Sequence, residues 1–199
     1  MAKLYFYYSA MNAGKSTTLL QSDYNYRERG MDTVLFTPEL DNRHQTGVIA
    51  SRIGLQANAI SFNMNSDLYA IVEQIKQQRP ALKCIFVDEA QFLNKQQVYQ
   101  LTAIVDTLGL PVLTYGLRSD FKAEPFEGSL YLLILAEEII EIKTICHCGR
   151  KATMNMRIDE KGQKVSAGAQ IEIGGNDRYI ATCRIHFNEG NSGQNERAA

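Results

Sequence analysis

Residues 9–16 read Ser9-Ala-Met-Asn-Ala-Gly-Lys-Ser16; they follow an apolar run that ends at Tyr8 and precede a stretch of helical character. A loop between a strand and a helix can bind phosphate, because its backbone N–H groups and the helix N-terminus point toward the anion. In Walker A loops of this kind, a lysine reaches the β- and γ-phosphates and a Ser or Thr hydroxyl binds Mg²⁺. Gly14, Lys15 and Ser16 match these positions, so the segment predicts a triphosphate-binding loop.

Ser9 occupies the position at which the usual Walker A pattern has its first glycine. The pattern alone would therefore reject the segment, and an ordinary polar turn is the alternative. The strand before the loop and the helix after it favour phosphate binding. The predicted nucleotide-binding residues of the loop are Ser9, Ala10, Met11, Asn12, Ala13, Gly14, Lys15 and Ser16.

The composition predicts a cytoplasmic protein with one α/β domain and a small appendage. The 199 residues include 21 Lys and Arg against 22 Asp and Glu, so no excess of positive charge indicates a nucleic-acid partner. The apolar stretches are strand-sized and no charged leader precedes Leu4, so we expect neither export nor a membrane span. In a reducing compartment the four cysteines are metal ligands or core thiols rather than disulfides, and Cys84 reads as a core thiol.

Helices and strands alternate through the first three quarters of the chain. The predicted helices span 15–29, closed by Gly30; 67–78, capped by Ser66; and a segment that Asn94 caps and Gly109 ends. The predicted strands are 33–37, 84–87 and 112–115, and residues 39–50 are predicted to form a surface loop. This alternation predicts a parallel sheet with helices on both faces and a ligand at the carboxyl ends of its strands.

The pattern changes after about residue 143. Short strand-like pieces, a turn at 159–162 and three cysteines follow, without a clear helix. We therefore predict a nucleotide-binding domain at 1–143, a small β-rich domain at 144–188, and a disordered tail at 189–199, which is rich in Gly, Asn, Ser and Gln.

Two acids, Asp88 and Glu89, follow the buried strand Ile85-Phe-Val87. This is a Walker B arrangement at the sheet edge that carries the 9–16 loop, although a solvated acidic turn is the alternative. Asp88 is predicted to bind Mg²⁺ together with Ser16, and Glu89 to take a proton from the acceptor. We expect the two segments to converge on one Mg-bound γ-phosphate, and loss of Lys15 to be at least as damaging as loss of Glu89.

Cysteines and histidines form two groups, Cys146-His147-Cys148 and Cys183-Arg-Ile-His186. Three thiols and an imidazole suit a tetrahedral structural Zn²⁺ site made of Cys146, Cys148, Cys183 and His186. The C-x-C spacing is tighter than the usual C-x-x-C, which leaves His147 as an alternative ligand. The alternative interpretation is that the thiols are unrelated to one another and the histidine is an ordinary surface residue.

Together, five motifs resemble the thymidine kinase family of the cellular and bacterial, zinc-containing type. They are S-A-M-N-A-G-K-S, V-D-E-A-Q-F, Y-G-L-R-S-D-F with a following P-F, C-H-C-G, and I-G-G-N-D-R-Y with C-R-I-H, in this order from Leu4 to His186. The resemblance implies a P-loop NTPase-like α/β domain that phosphorylates the 5′-hydroxyl of thymidine, and deoxyuridine as well, with Mg-ATP. It also implies a zinc-held lobe whose lasso loop closes over the nucleoside, a homotetramer, and feedback inhibition by thymidine triphosphate.

The resemblance also assigns roles to individual residues. By position, Glu89 matches the catalytic base, with Asp88 and Gln91 in the same motif and Lys15 at the phosphates. Residues matched to the base and sugar are Phe92, Leu117, Phe121 and Phe126, residues matched to the lasso are Gly174, Gly175 and Tyr179, and residues matched to a loop near the phosphates are Asp41 and Arg43. Aromatic and leucine side chains can stack on a pyrimidine and accept its methyl group.

Three other functions share part of this pattern. A hydrolytic P-loop ATPase or GTPase would also use Lys15, Ser16 and Asp88, but the guanine-reading N-K-x-D motif is absent because residues 94–97 end in glutamine. A nucleotide kinase needs converging arginines for the acceptor phosphate, and the sequence shows no such group. A nucleic-acid-binding zinc module would need interleaved basic and aromatic residues, which the cysteine-rich part lacks.

Overall fold

The computed structural model describes residues 1–40, 46–171 and 178–194. Its strands are β1 (Leu4–Ser9), β2 (Asp32–Pro38), β3 (Val48–Ala50), β4 (Gln56–Asn58), β5 (Ile60–Phe62), β6 (Leu82–Val87), β7 (Val112–Leu117), β8 (Glu138–Glu141), β9 (Thr144–Ile145), β10 (Lys151–Ala152), β11 (Met154–Arg157) and β12 (Tyr179–Thr182). Its helices are α1 (Lys15–Arg27), α2 (Leu68–Gln78), α3 (Lys95–Leu108), α4 (Glu127–Leu135) and α5 (Arg184–Glu189), and Ala90–Phe92 form a 3₁₀ turn.

Six parallel strands form the central sheet in the order β5-β2-β6-β7-β1-β8. β7 lies between β1 and β6, with Leu117 opposite Ser9 and Thr114 opposite Val87. Because the strands are parallel, their carboxyl ends lie at one edge of the sheet. The segments after β1, β6 and β7 therefore meet at that edge.

Helices cover both faces of the sheet. On one face, Leu19 and Leu20 of α1 pack against a buried cluster that includes Phe86. On the other face, α2, α3 and α4 contribute buried residues such as Leu101 and Leu132 to a larger cluster. Burial of both faces explains the nearly continuous apolar strands, and the predicted α/β class with a helix-covered parallel sheet is confirmed.

Most predicted helix ends are close to the observed ones. Asn94 caps α3 through a capping box with Gln97, and Gly109 ends the helix at a positive φ of 65°. The predicted cap of α2 was wrong by one residue: the carboxylate of Asp67, not Ser66, accepts from the backbone N–H of Ala70 at 3.0 Å. The hydroxyl of Ser66 instead accepts from the N–H of Asn63 at 2.9 Å and closes the preceding turn.

Four elements of the structure, β3, α4, β8 and α5, were not predicted. The supposed loop at 39–50 contains β3, which pairs antiparallel with β4; residues 41–45 of that segment, including Asp41, Arg43 and His44, lie outside the described residues. α4 and β8 were not assigned, because the apolar residues around 130–136 show no clear period. The expectation that no helix follows residue 143 was wrong, since the six-residue α5 begins after Cys183.

The chain after β8 forms two small antiparallel pairs, β9 with β10 and β11 with β12. Met156, Ile158 and Phe187 make a small core between the second pair and α5. At the start of the predicted tail, Ser192 is buried and its hydroxyl donates to the carbonyl of Gly162 at 2.8 Å. Among the described residues, no helix combines the length and apolarity needed to cross a membrane.

Gly128, in the first turn of α4, allows a close approach to the 3₁₀ turn that follows Glu89. A Cβ atom at this position would lie 2.6 Å from the carbonyl oxygen of Ala90 and 2.7 Å from that of Leu93. Backbone oxygens cannot move aside as a flexible side chain can. The lack of a side chain at Gly128 therefore determines how closely α4 and this turn pack.

We expect Gly128→Ala to lower the free energy of unfolding by about 3 kcal/mol, because the added methyl group displaces buried backbone. Gly30→Ala is the matched control: Gly30 has a φ of 74° but nothing within 4 Å of an added Cβ atom. In the control, the strained φ should lower the free energy of unfolding by only about 1 kcal/mol. Urea titrations of both variants measure the difference, and an equal loss of stability in the two would contradict this account.

Candidate active site

A cavity of about 600 Å³ opens at the carboxyl edge of the sheet. Its walls come from the 9–16 loop, from the segments after β6 and β7, from the β3–β4 hairpin, and from the chain after β8. This is the edge at which open parallel sheets bind ligands. The cavity has a polar end near α1 and an apolar end lined by aromatic rings.

At the polar end, the 9–16 loop turns through two residues with positive φ, Asn12 at 65° and Gly14 at 81°. The turn directs the chain into α1, whose first residue, Lys15, is buried. The ammonium group of Lys15 donates to the hydroxyl of Ser9 at 3.0 Å and to the carbonyl of Ala10 at 3.3 Å. Ser9, which replaces the expected glycine, thus contacts Lys15 through its side chain.

Asp88 joins the 9–16 loop to the end of β6. Its carboxylate accepts from the hydroxyl of Ser16 at 2.9 Å and from the backbone N–H of Glu89 at 3.0 Å. Burial, and then the nearby carboxylate of Glu89, raise the pKa of Asp88. A cation beside this carboxylate would lower that pKa again, and oxygen ligands of this kind are the type that Mg²⁺ prefers.

Glu89 has a left-handed backbone conformation, with a φ of 48° and a ψ of 42°. This conformation is strained for a residue with a side chain, and residues strained in this way cluster at active sites and ligand-binding turns. The side-chain NH₂ group of Gln91 donates to the Glu89 carboxylate at 2.5 Å. The side-chain oxygen of Gln91 accepts from the N–H of Leu117 at 3.0 Å. Gln91 therefore connects Glu89 to the end of β7 and restricts its orientation.

Gly116 makes room for Gln91. A Cβ atom on Gly116 would lie 2.9 Å from the side-chain oxygen of Gln91 and 3.0 Å from its backbone nitrogen. A side chain at position 116 would therefore displace Gln91 from the Glu89 carboxylate.

The apolar end of the cavity contains aromatic and leucine side chains. The rings of Phe92 and Phe126 meet edge to face, with centroids 5.9 Å apart. Leu117 and Tyr179 line the same space. Phe121 also faces the cavity but is almost fully buried, and the guanidinium of Arg157 lies over its ring, 5.1 Å from the centroid. Such a surface can hold a flat, weakly polar ring.

The cavity brings together most of the residues predicted for the site. Those that line it are Met11, Asn12, Ala13, Gly14, Lys15, Ser16, Asp88, Glu89, Gln91, Phe92, Leu117, Phe121, Phe126 and Tyr179. Ser9 and Ala10 are not among the lining residues, but both accept hydrogen bonds from the lining residue Lys15. Asp41, Arg43, Gly174 and Gly175 lie outside the described residues.

A separate cluster of thiols and an imidazole lies in the small antiparallel part of the chain. The ligand atoms of Cys146, Cys148, Cys183 and His186 all lie within 4.8 Å of one another. Cys146 and Cys148 lie in the turn between β9 and β10, and Cys183 directly precedes α5, which carries His186. The backbone N–H of His186 lowers the pKa of Cys183, which favours the thiolate form that binds metals. Three sulfurs and one nitrogen at this spacing fit a tetrahedral metal ion.

His147, the alternative ligand, is outside this group of four. Its ring stacks on His186, with centroids 4.3 Å apart and planes 10° from parallel. Gly193 covers the ring so closely that a Cβ atom there would lie 2.5 Å from the ring carbon Cγ of His147. The geometry therefore favours a packing role for His147.

Asn155 on β11 is a site residue that the sequence did not reveal. It is buried and lines the cavity. Its side-chain oxygen accepts from the N–H of Met11 at 2.7 Å, and its NH₂ group donates to the carbonyl of Ser119 at 3.0 Å. One side chain thus links the 9–16 loop, β11 and the segment after β7. Nothing local marks a lone asparagine between two methionines, so only the tertiary contact identifies it.

The cysteine cluster also contacts the 9–16 loop directly. Ala10 is buried in one apolar cluster with Cys146, Cys183, Ala152 and Ala181. The small side chains at these positions let the two parts of the chain approach closely. The order of the cysteine cluster and the position of the loop are therefore physically connected.

Comparison with known proteins gives a consistent result. A family model for thymidine kinase (TK) matches residues 2–187. The thymidine kinase of Legionella pneumophila strain Lens is 61% identical over 194 residues, which cover 98% of this chain and 93% of that protein. That of Coxiella burnetii strain RSA 493 is 59% identical over 190 residues, covering 96% and 97%. Among solved structures, the Pif1 helicase from Candida albicans matches 73% of this chain and 36% of its own, with a TM-score of 0.42 and 15% identity, which is too weak to bear on the fold.

We expect Asn155→Ala to weaken Mg-ATP binding by about tenfold, because it removes one hydrogen bond that holds the 9–16 loop and leaves the N–H of Met11 without that partner. Calorimetry without nucleoside measures this change. Asn188→Ala, an exposed substitution on α5, is the control and should leave the affinity unchanged. Unaltered Mg-ATP affinity with a raised KM for the nucleoside would instead place Asn155 at the acceptor.

Proposed function

We propose that this chain, which belongs to the thymidine kinase family, transfers the γ-phosphoryl group of Mg-ATP to the 5′-hydroxyl of thymidine through Lys15, Ser16, Asp88 and Glu89. The family match makes it an ATP-dependent kinase that supplies thymidine monophosphate in nucleotide salvage. The observation that carries the assignment of residues is that the 9–16 loop and the acids after β6 meet in one cavity, with Ser16 2.9 Å from Asp88. The family match favours this kinase reaction over the hydrolytic and nucleotide-kinase alternatives.

The polar end of the cavity is the proposed triphosphate site, and the 9–16 loop is the proposed P-loop. The positive φ of Gly14 and the start of α1 suit backbone N–H groups directed at phosphate. Lys15 would contact the β- and γ-phosphates. Ser16 and Asp88 would hold Mg²⁺, which when bound neutralises charge on the β- and γ-phosphates. Asp41 and Arg43 are proposed to lie near the phosphates on the strength of the resemblance alone.

The apolar end is the proposed nucleoside site. Phe92, Leu117, Phe126 and Tyr179 offer flat and branched surfaces for a pyrimidine ring and its methyl group. Phe121, braced by Arg157, supports this wall. Gly174 and Gly175 are proposed to belong to a lasso loop beside Tyr179. The same surface would accept deoxyuridine, which lacks only the methyl group.

Glu89 is the proposed base for the transfer. Its carboxylate takes the proton of the 5′-hydroxyl while that oxygen bonds to the γ-phosphorus and the bond to the β-phosphate oxygen breaks, releasing ADP. Gln91 restricts the carboxylate to one orientation by its hydrogen bond. Exclusion of water by the aromatic wall favours the sugar hydroxyl as the acceptor.

Cys146, Cys148, Cys183 and His186 are proposed to hold a structural Zn²⁺. The donor set is rich in sulfur and has no open position for water, so the metal would contribute to folding and not to the transfer. We propose domain limits of 1–143 and 144–188, with a tail at 189–199 whose first residues pack against the second domain. A cytoplasmic location, a homotetramer and feedback inhibition by thymidine triphosphate are further proposals that follow from the family.

We expect Glu89→Gln to lower kcat by about 100-fold or more, because the amide cannot accept the proton of the 5′-hydroxyl. The assay follows the label from γ-labelled ATP into a panel of nucleosides, and thymidine should be the best acceptor for the unaltered enzyme. Mg-ATP affinity should stay nearly constant in the variant. Glu160→Gln, in an exposed turn, is the control. Unchanged thymidine phosphorylation by Glu89→Gln would exclude Glu89 as the base.

We expect about one zinc ion per chain, and Cys183→Ser to lose it, because serine is a poor zinc ligand. Metal analysis of the folded protein measures the content. His147→Gln tests the alternative ligand and should keep the zinc. Zinc loss in His147→Gln with retention in Cys183→Ser would reverse the assignment.

A further inference from the structure

The β3–β4 hairpin borders the polar end of the cavity and is attached to α1. Ile49 of β3 is buried in the same cluster as Leu19 and Leu20 of α1. At the tip, the N–H of Ser51 donates to the carbonyl of Leu55 at 2.7 Å, and the hydroxyl of Ser51 accepts from the N–H of Leu55 at 3.0 Å. The hairpin therefore has a defined shape and lies beside the helix that begins at the proposed P-loop.

Arg52 lies at this tip and lines the cavity together with the 9–16 loop. It is exposed, and within the described part of the chain it has no recorded hydrogen bond or ion pair. Its guanidinium carries five N–H donors in a planar fork that suits phosphate oxygens. A phosphate that binds the Arg52 guanidinium would therefore not have to displace another partner in the described part of the protein.

The charges around the cavity indicate what Arg52 can bind. The charged side chains that line it in the described residues are Lys15, Arg52, Asp88, Glu89 and Asp120. Asp120 already accepts from the N–H groups of Lys122 and Glu124 and from Gln170. Asp88 and Glu89 are acidic, while Mg-ATP keeps a net negative charge. Among the described residues, Lys15 and Arg52 are the two cations that line the cavity, so Arg52 adds to the positive charge that Lys15 supplies.

We propose that Arg52 binds the γ-phosphate of Mg-ATP and neutralises the charge that gathers on the transferring group; this inference rests on the proposed kinase function. As the 5′-oxygen bonds to the γ-phosphorus and the bond to the bridging oxygen breaks, the proton passes to Glu89 and ADP leaves. The N–H groups of Arg52 donate to γ-phosphate oxygens throughout this step. Positive charge at this point stabilises a loose phosphoryl-transfer transition state.

Calorimetry with two probes tests which phosphate Arg52 contacts. Arg52→Ala should weaken binding of the Mg complex of the non-hydrolysable β,γ-imido analogue of ATP by about tenfold. Mg-ADP, which lacks the γ-phosphate, should bind as in the unaltered protein. Arg29→Ala, an exposed substitution at the end of α1 away from the cavity, removes the same charge and should change neither affinity. If Arg52→Ala lowered the affinity for the ATP analogue and for Mg-ADP equally, this would contradict a γ-phosphate contact.

Kinetics then test the role in the transfer. Arg52→Ala should lower kcat for thymidine by about 100-fold, since a positive charge on the γ-phosphate is lost from the transition state. Arg52→Lys should recover part of the rate, because it restores the charge without the planar fork. Unchanged kcat and KM for ATP in Arg52→Ala, with thymidine still phosphorylated, would refute the proposal and leave the kinase function intact. Failure of the unaltered protein to phosphorylate any nucleoside would instead refute the function.

Discussion

The hydrogen bond from Ser16 to Asp88 joins the two halves of the site, and it exists because β1 and β6 are both neighbours of β7. In a parallel sheet with this order, the residue after β6 and the first turn of α1 meet at the carboxyl edge. The apolar strands that bury both faces of the sheet therefore also determine where the acids lie. A change of strand order would separate Lys15 from Asp88 without altering either residue.

Charge and strain are concentrated at this edge. Asp88, Glu89 and the cation Lys15 are all buried, the charge of Lys15 acts on Asp88, and Glu89 has a left-handed backbone conformation. Both features lower stability unless neighbouring groups compensate, here the hydroxyl of Ser16 and the amide of Gln91. A Mg²⁺ ion bound beside Asp88 would relieve the repulsion between the two carboxylates. The site is thus built for a charged ligand.

The small antiparallel part of the chain belongs physically to this site. Asn155 holds the N–H of Met11, and Ala10 packs against Cys146 and Cys183. The cysteine cluster and the 9–16 loop therefore share a common interface. A structural metal placed there would support the loop through packing, although it lies apart from the chemistry.

The local sequence determined the α/β class, the ends of α3, the 9–16 loop, the acids after β6 and the group of metal-ligand candidates, because each depends on neighbouring residues or on a short period. Five ordered motifs were enough to indicate the family. Only the tertiary structure decided that Asn155 and Arg52 line the cavity, that Ser9 contacts Lys15, and that His147 stacks on His186. These contacts join residues from different strands, from a short hairpin or from two sides of a turn. Three-residue strands and single polar side chains carry no local period, so their roles appear only when the chain is folded.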